Sequence, residues 1–193
     1  MTTLAAKQRL RLTADEFYAL GDGHGGYELI DGRREVNPMS AKSSRIGGLF
    51  YAQLEQYCRR YPGWAFPQET GYRCFTDDPE RVRKPDASFI ALDRMSAGDY
   101  EAEGFIRIVP DVVVEVVSPK DIASKVEAKI GQWLTAGVKV AWVVHPNVQL
   151  VREHRADGTV RQFHFGEELT EPAILPGFTL PVAELFRLPA PSN

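Results

Sequence analysis

The six residues Val112-Val113-Val114-Glu115-Val116-Val117 constrain this chain more than any other stretch. A run of β-branched apolar residues reads as a strand buried on both faces. Ser118-Pro119 ends it. From Asp121 to Ala136 the spacing predicts a helix with Ile122, Val126, Ile130 and Trp133 on one side, and Gly137 stops it. Val138 to Val144 then reads as a second apolar strand. Strand, helix and strand in that order form a crossover unit, so a sheet with parallel character is expected.

The flanking segments add smaller elements to this α/β core. Thr13 and Glu16 have the spacing of a capping box, which opens a short helix that Asp22-Gly23 and Gly25-Gly26 end. Tyr27 to Ile30 and Arg33 to Asn37 read as a hairpin turning at Asp31-Gly32. Between Ser43 and Arg60, Ile46, Leu49, Phe50, Leu54 and Tyr57 recur on one helical face, and Pro62-Gly63 stops that helix. Extended segments are expected near Glu69–Phe75 and Ala87–Leu92. Gln149–His154 and Thr159–Phe165, joined through Asp157-Gly158, make a closing hairpin, and the tail beyond Pro189 is expected to be loose. No linker or internal repeat divides the chain, so residues 1–193 read as one domain.

Composition narrows the classes further. A chain of 193 residues that is 44% hydrophobic and 25% charged has the make-up of a soluble globular domain, which excludes collagen and wholesale disorder. No stretch approaches the ~20 apolar residues of a membrane span. The N-terminal MTTLAAKQRLRL lacks an apolar secretory core, so no signal peptide and a cytoplasmic location are expected. Cys58 and Cys74 are too few for a disulfide framework and read as incidental thiols in a reducing compartment. The net charge of −3 gives no bulk attraction to nucleic acid, but it leaves room for a locally basic groove.

The chemistry starts at Glu115. A carboxylate inside an apolar strand must be met by a cation or a metal, or it loses its charge. From the strand alone a structural salt bridge serves as well as a metal. Asp86 follows Pro85 and opens the apolar segment Ala87-Ser88-Phe89-Ile90. If the two strands are neighbours, Asp86 and Glu115 converge and can bind a hard divalent ion such as Mg²⁺ through oxygen. On the helix, 100° per residue puts Ile130 and Trp133 within about 40° of Val126 and Lys129 at about 60°, on the border of the buried stripe. Lys129 can thus reach toward the strand end or snorkel to solvent. Lys125, about 100° away, sits on the flank.

These residues resemble a known family. Arg83-Lys84-Pro85-Asp86, Pro110-Asp111 leading into Val112–Pro119, then Asp121, Lys129, Trp133, Ala136-Gly137-Val138 and Trp142 are similar to the Uma2 family of the PD-(D/E)XK nuclease-like superfamily. Tyr27–Gly32, Arg34-Glu35-Val36 with Pro38, Ile46 and Glu69–Tyr72 agree with it. The resemblance spans roughly residues 13 to 185. It implies a restriction-endonuclease-like α/β core with a mixed central sheet flanked by helices, and additional N-terminal and C-terminal hairpins. It also implies that Asp86 and Glu115 are catalytic metal ligands, with the Val116 carbonyl as a further one. The lysine of the superfamily's Glu-x-Lys element is Val117 here, and Lys129 matches the lysine that takes its place in the family. Glu35 and Glu28 match acidic positions near the site, and either can be a third carboxylate. Where the family carries a histidine, eight residues after the Glu35 position, this chain has Ser43.

The implied activity is Mg²⁺-dependent endonuclease cleavage of DNA, with Mn²⁺ as an alternative ion and a homodimer as the family's common assembly. Lys129 would orient or deprotonate the attacking water. Lys42, Arg45, Arg59, Arg60, Arg73, Arg81, Arg83 and Lys84 are candidates for phosphate contacts, though each alone can equally be solubilising charge. His24, His145, His154 and His164 lack ligand spacing and read as loop or strand-surface residues. A catalytically silent nuclease-fold binding module is the second reading, favoured by Ser43 and the acidic net charge. A hydrolase of some other phosphate ester is the third. Metal binding and plasmid nicking discriminate among them.

Overall fold

The computed structural model describes residues 11–37 and 39–189. Most of the N-terminal stretch read for a leader, Pro38, and the tail from residue 190 onward lie outside the described residues. The elements in chain order are α1 (Ala14–Tyr18), β1 (Tyr27–Ile30), β2 (Arg33–Val36), α2 (Ala41–Cys58), β3 (Gly63–Pro67), β4 (Ala87–Ala91), α3 (Ala97–Glu101), β5 (Val112–Val116), α4 (Ala123–Ala136), β6 (Val140–His145), β7 (Leu150–His154), β8 (Val160–His164), β9 (Glu168–Glu171) and β10 (Leu175–Pro181).

Strands β3 to β8 form one mixed sheet in sequential order. Only β5 and β6 run parallel, and α4 is the crossover between them. That is the unit expected from the sequence. Its register is tight: Val112 pairs with Val140 and Val116 with Val144. Side chains alternate across the sheet. Val112, Val114 and Val116 pack on Ile46, Phe50 and Leu54 of α2, while Val113, Ala141 and Val143 pack on Ile130 and Trp133 of α4. Glu115 therefore points to the α4 face. Gly137 closes α4 at φ 108°, a left-handed backbone that a side chain would strain.

The capping box of α1 forms as read, with the Thr13 hydroxyl accepting from Glu16 N–H and the Glu16 carboxylate accepting from Thr13 N–H. Asp31 and Gly32 both take positive φ, as the tight turn joining β1 to β2 requires. Four readings shift. Helix α2 starts at Ala41, because the Ser40 hydroxyl caps it by accepting from Ser43 N–H at 3.1 Å. Gly63 opens β3 instead of merely stopping a helix, and residues 69–75 form no strand, only isolated bridges from Tyr72 to Arg83 and Ile106. The hairpin of β7 and β8 is the outer pair of the central sheet itself. The hairpin beyond it is β9–β10, which packs Leu169, Leu175 and Phe178 onto the α2 face. Cys58 and Cys74 are free thiols. Among the described residues no helix is long and apolar enough to cross a membrane.

Candidate active site

Four segments meet at the C-terminal end of β5. The antiparallel register of β4 on β5 pairs Ala87 with Val114, which sets Asp86 opposite Glu115. Asp86 is fixed by its backbone and its side chain: its N–H donates to the Val114 carbonyl at 2.9 Å, and its Oδ2 accepts from Val116 N–H at 2.6 Å. Helix α4 supplies Lys129 and Trp133 one turn apart. The Lys129 ammonium lies 2.7 Å from Glu115 Oε2, and the Trp133 indole N–H donates to Glu115 Oε1 at 2.8 Å. Both carboxylate oxygens of Glu115 are thereby partnered.

Strand β1 brings Glu28, which is 5% exposed, to the centre of the cluster. Lys129 Nζ is 3.0 Å from Glu28 Oε1 and donates to the Lys84 carbonyl at 3.1 Å, so its three N–H bonds all have acceptors. Arg83 donates from Nη1 to Glu28 Oε2 at 2.8 Å, and its remaining nitrogens donate to Gln132 Oε1. Glu28 thus ties the hairpin, the segment before β4 and helix α4 together. The resemblance allows Glu28 as a third carboxylate; its pairing with Arg83 and Lys129 is visible only in the folded chain. Gln132 and Trp133 were missed as polar partners, because Trp133 reads as one more apolar residue on a buried face.

Charge does not balance here. Among the described residues, Glu28, Asp86 and Glu115 face only the cations Arg83 and Lys129. Burial pushes Asp86 up, and the nearby charge of Glu115 adds to it, so its carboxyl sits at about 7. Burial likewise raises Glu115, against the pull of Lys129. Glu28 is also penalised by burial, yet Lys129 and Arg83 hold it below its ordinary value. Lys129 is held above its own: burial works against its charge, but Glu115 and Glu28 outweigh it. It is a fixed cation. Of the two roles the sequence reading allowed, orienting the water suits a lysine held above its ordinary value better than taking its proton.

A cleft of about 230 Å³ opens onto the cluster between the β1–β2 hairpin, the end of β5 and the first turns of α4. Asp86, Glu115 and Val116 line its floor, and Lys120, Lys125 and Glu35 its mouth. Glu35 is exposed and 3.3 Å from Lys125. It stands at the entrance, outside the buried cluster. Ser43 is buried, and its hydroxyl bonds to those of Ser40 and Ser118, both at 2.9 Å. A chain of three hydroxyls therefore fills the place where the resemblance implies a histidine.

The donor set is oxygen, which suits a hard divalent cation. Among the described residues no group of three His, Cys, Asp or Glu side chains is arranged to cage an ion. Mg²⁺ does not need such a cage, since it commonly takes one or two carboxylates and completes its shell with water and phosphate oxygens. Asp86 and Glu115, with one negative charge in excess, fit that pattern.

Much of the basic patch read from the sequence is spent internally. Arg73 pairs with Asp15 and Glu80, Arg81 with Asp77, Arg83 with Glu28, and Lys84 (1% exposed) with Glu69. Lys42 donates to the Pro146 carbonyl, while Arg45, Arg59 and Arg60 stay exposed on α2 and just beyond it. Of the histidines, His24 packs between Tyr18 and Phe105, and His145, His154 and His164 end three successive strands.

A solved structure from Anabaena variabilis, described as a "putative nuclease belonging to DUF820", superposes with a TM-score of 0.73 at 25% identity, covering 91% of this chain and 97% of that one. No curated protein matches. Residues 14–183 match the sequence profile described as "Uma2: Putative restriction endonuclease", and with nearly the whole described chain inside that match, the chain belongs to the Uma2 family.

Proposed function

We propose that this protein is a divalent-metal-dependent nuclease that hydrolyses phosphodiester bonds in DNA. The observation that carries the reading is Asp86 and Glu115 buried side by side at the floor of a cleft, with too little positive charge around them. The family and the Anabaena structure support nuclease chemistry as the general class. Asp86, Glu115 and the Val116 carbonyl would hold Mg²⁺ or Mn²⁺, which when bound lowers the pKa of a coordinated water and offsets charge on phosphate oxygens. Lys129 keeps its proton and presents a fixed positive charge beside Glu115, where charge builds up on the reacting phosphate. Glu28 and Trp133 orient Lys129 and Glu115. Lys120 and Lys125 at the mouth are placed to meet phosphates on either side of the scissile one.

One observation favours a silent binding module instead. The Ser40–Ser43–Ser118 hydroxyl chain leaves no imidazole at the rim for proton transfer. Isothermal titration with Mg²⁺ or Mn²⁺ on wild type and Asp86→Ala, followed by plasmid nicking, separates the readings. Metal-dependent nicking lost in the variant supports the nuclease. Binding of DNA without cleavage under any metal supports the module.

A further inference from the structure

On the far side of α4 from the active-site cleft lies a second groove, of about 500 Å³, walled by α4 on one side and by β6, β7 and β8 on the other. The strand registers put His145, Arg152, His154 and Gln162 on the face of the sheet that looks toward α4, because Arg152 pairs with both Val143 and Gln162, His145 with Leu150, and His154 with Ala141. Helix α4 covers this face only over the middle of the sheet, so the outer strands are left with a concave surface on which His145, Arg152, His154 and Gln162 stand among apolar side chains such as Val143, Val160 and Leu134.

Two of its buried polar atoms lack partners. The Arg152 Nε is buried with no hydrogen-bond partner, and so is the His145 Nε2. Among the described residues no carboxylate forms an ion pair with Arg152. This contrasts with Arg73, Arg81 and Arg83, each of which has a carboxylate partner. Buried donors without partners are uncommon and call for an explanation. The facing charged group from α4 is Glu127, which acts on His154.

We infer that this groove is a phosphate-binding site, with the Arg152 guanidinium as its anchor and the His145 and His154 rings and the Gln162 amide as further donors. A guanidinium presents several N–H groups in one plane, a neutral imidazole presents one, and an amide presents two, which together suit a tetrahedral oxyanion. A metal is a poor fit, since the unpaired guanidinium repels it. Burial and the charge of Arg152 hold both imidazoles below their ordinary pKa, so a bound anion should draw protons onto them. The groove shares Val126 and Ile130 with the active-site cleft, so it adjoins that site across the start of α4. The phosphate can belong to a nucleic-acid backbone running on from the cleft, which rests on the nuclease reading, or to a free phosphate compound.

The test uses the full-length protein without metal, following the ring C–H resonances of the four histidines by NMR. Added inorganic phosphate should shift His145 and His154 and raise their pKa values, and leave His164 in place. Arg152→Gln should weaken the phosphate response about tenfold or more, as loss of a charge-assisted bond predicts. Glu127→Gln should strengthen it. A short oligodeoxynucleotide distinguishes the sources. If the backbone is the ligand, Arg152→Gln also lowers the salt slope of oligonucleotide binding by about one. If a free phosphate compound is the ligand, that slope stays put while the histidine response is lost. No shift of His145 and His154 in either wild type or Glu127→Gln overturns the site, and so does an Arg152→Gln response equal to wild type. The readout needs neither metal nor cleavage, so it can fail or succeed independently of Asp86 and Glu115.

Discussion

Lys129 bridges Glu28 and Glu115, lying 3.0 Å from one carboxylate and 2.7 Å from the other, and among the described residues it is the sole cation touching both. Two buried acids on different strands are thus held by one side chain from the crossover helix. The same contact that assembles the site also supports the fold.

Removing that cation should therefore be costly. Lys129→Met leaves two carboxylates buried without it, and losing one partner of a buried pair costs about 3–5 kcal/mol. Chemical denaturation should report a loss of that order, with Lys129→Arg retaining a large part of the stability. A loss below about 1 kcal/mol would mean the ammonium is solvated, as for a surface pair. Below the melting transition, Lys129→Met should lower single-turnover cleavage far more than DNA affinity.

Metal-free stability should depend on pH through Asp86. Its carboxyl is raised to about 7 in the folded protein, so between the ordinary carboxylate range and 7 the folded state binds more protons than the unfolded chain. Stability from this group accordingly falls as pH rises toward 7 and is recovered on acidification. Glu28 works the other way: its folded pKa is lowered, so its contribution is present above the ordinary value and lost as pH falls through the folded one. Asp86→Asn should flatten the neutral part of the profile and raise metal-free stability above pH 7. A profile unchanged by Asp86→Asn contradicts the charge imbalance.

The β5–α4–β6 unit was legible because a buried strand and an amphipathic helix each carry their own periodicity; that periodicity put Lys129 at the edge of the buried stripe, free to reach Glu115 or to snorkel to solvent, and only the family resemblance favoured the first. The site's other supports were not legible. Glu28 lies in a strand whose partner in the cluster is remote in sequence, and only tertiary packing shows that its neighbours are Arg83 and Lys129. Trp133 was legible as core but not as a donor, since nothing in helical spacing reveals an indole N–H aimed at a carboxylate. Arg73, Arg81 and Lys84 looked like a basic patch for the same reason: their acidic partners become visible only when the chain is folded.

Trp133→Phe should preserve packing but strip one hydrogen bond from a buried carboxylate. The expected cost is about 1–3 kcal/mol, read from the denaturation midpoint. A neutral result would show that water replaces the indole.

Salt titration of DNA binding should single out the mouth of the cleft. Lys125→Ala and Lys120→Ala should each lower the slope by about one, because Lys120 and Lys125 are exposed and the Lys125–Glu35 pair is open to solvent, whereas Arg81→Ala should leave the slope unchanged because its guanidinium is buried against Asp77. A slope change for Arg81 equal to that for Lys125 would move the nucleic-acid path elsewhere.

The most direct test of the central claim is single-turnover cleavage of supercoiled plasmid, with and without Mg²⁺ or Mn²⁺, for wild type, Asp86→Asn and Glu115→Gln. The account predicts nicking by wild type that requires the metal and is lost in both variants while DNA is still bound. Folded wild-type protein that cleaves neither DNA nor RNA with either metal, or variants that cleave as well as wild type, would contradict it.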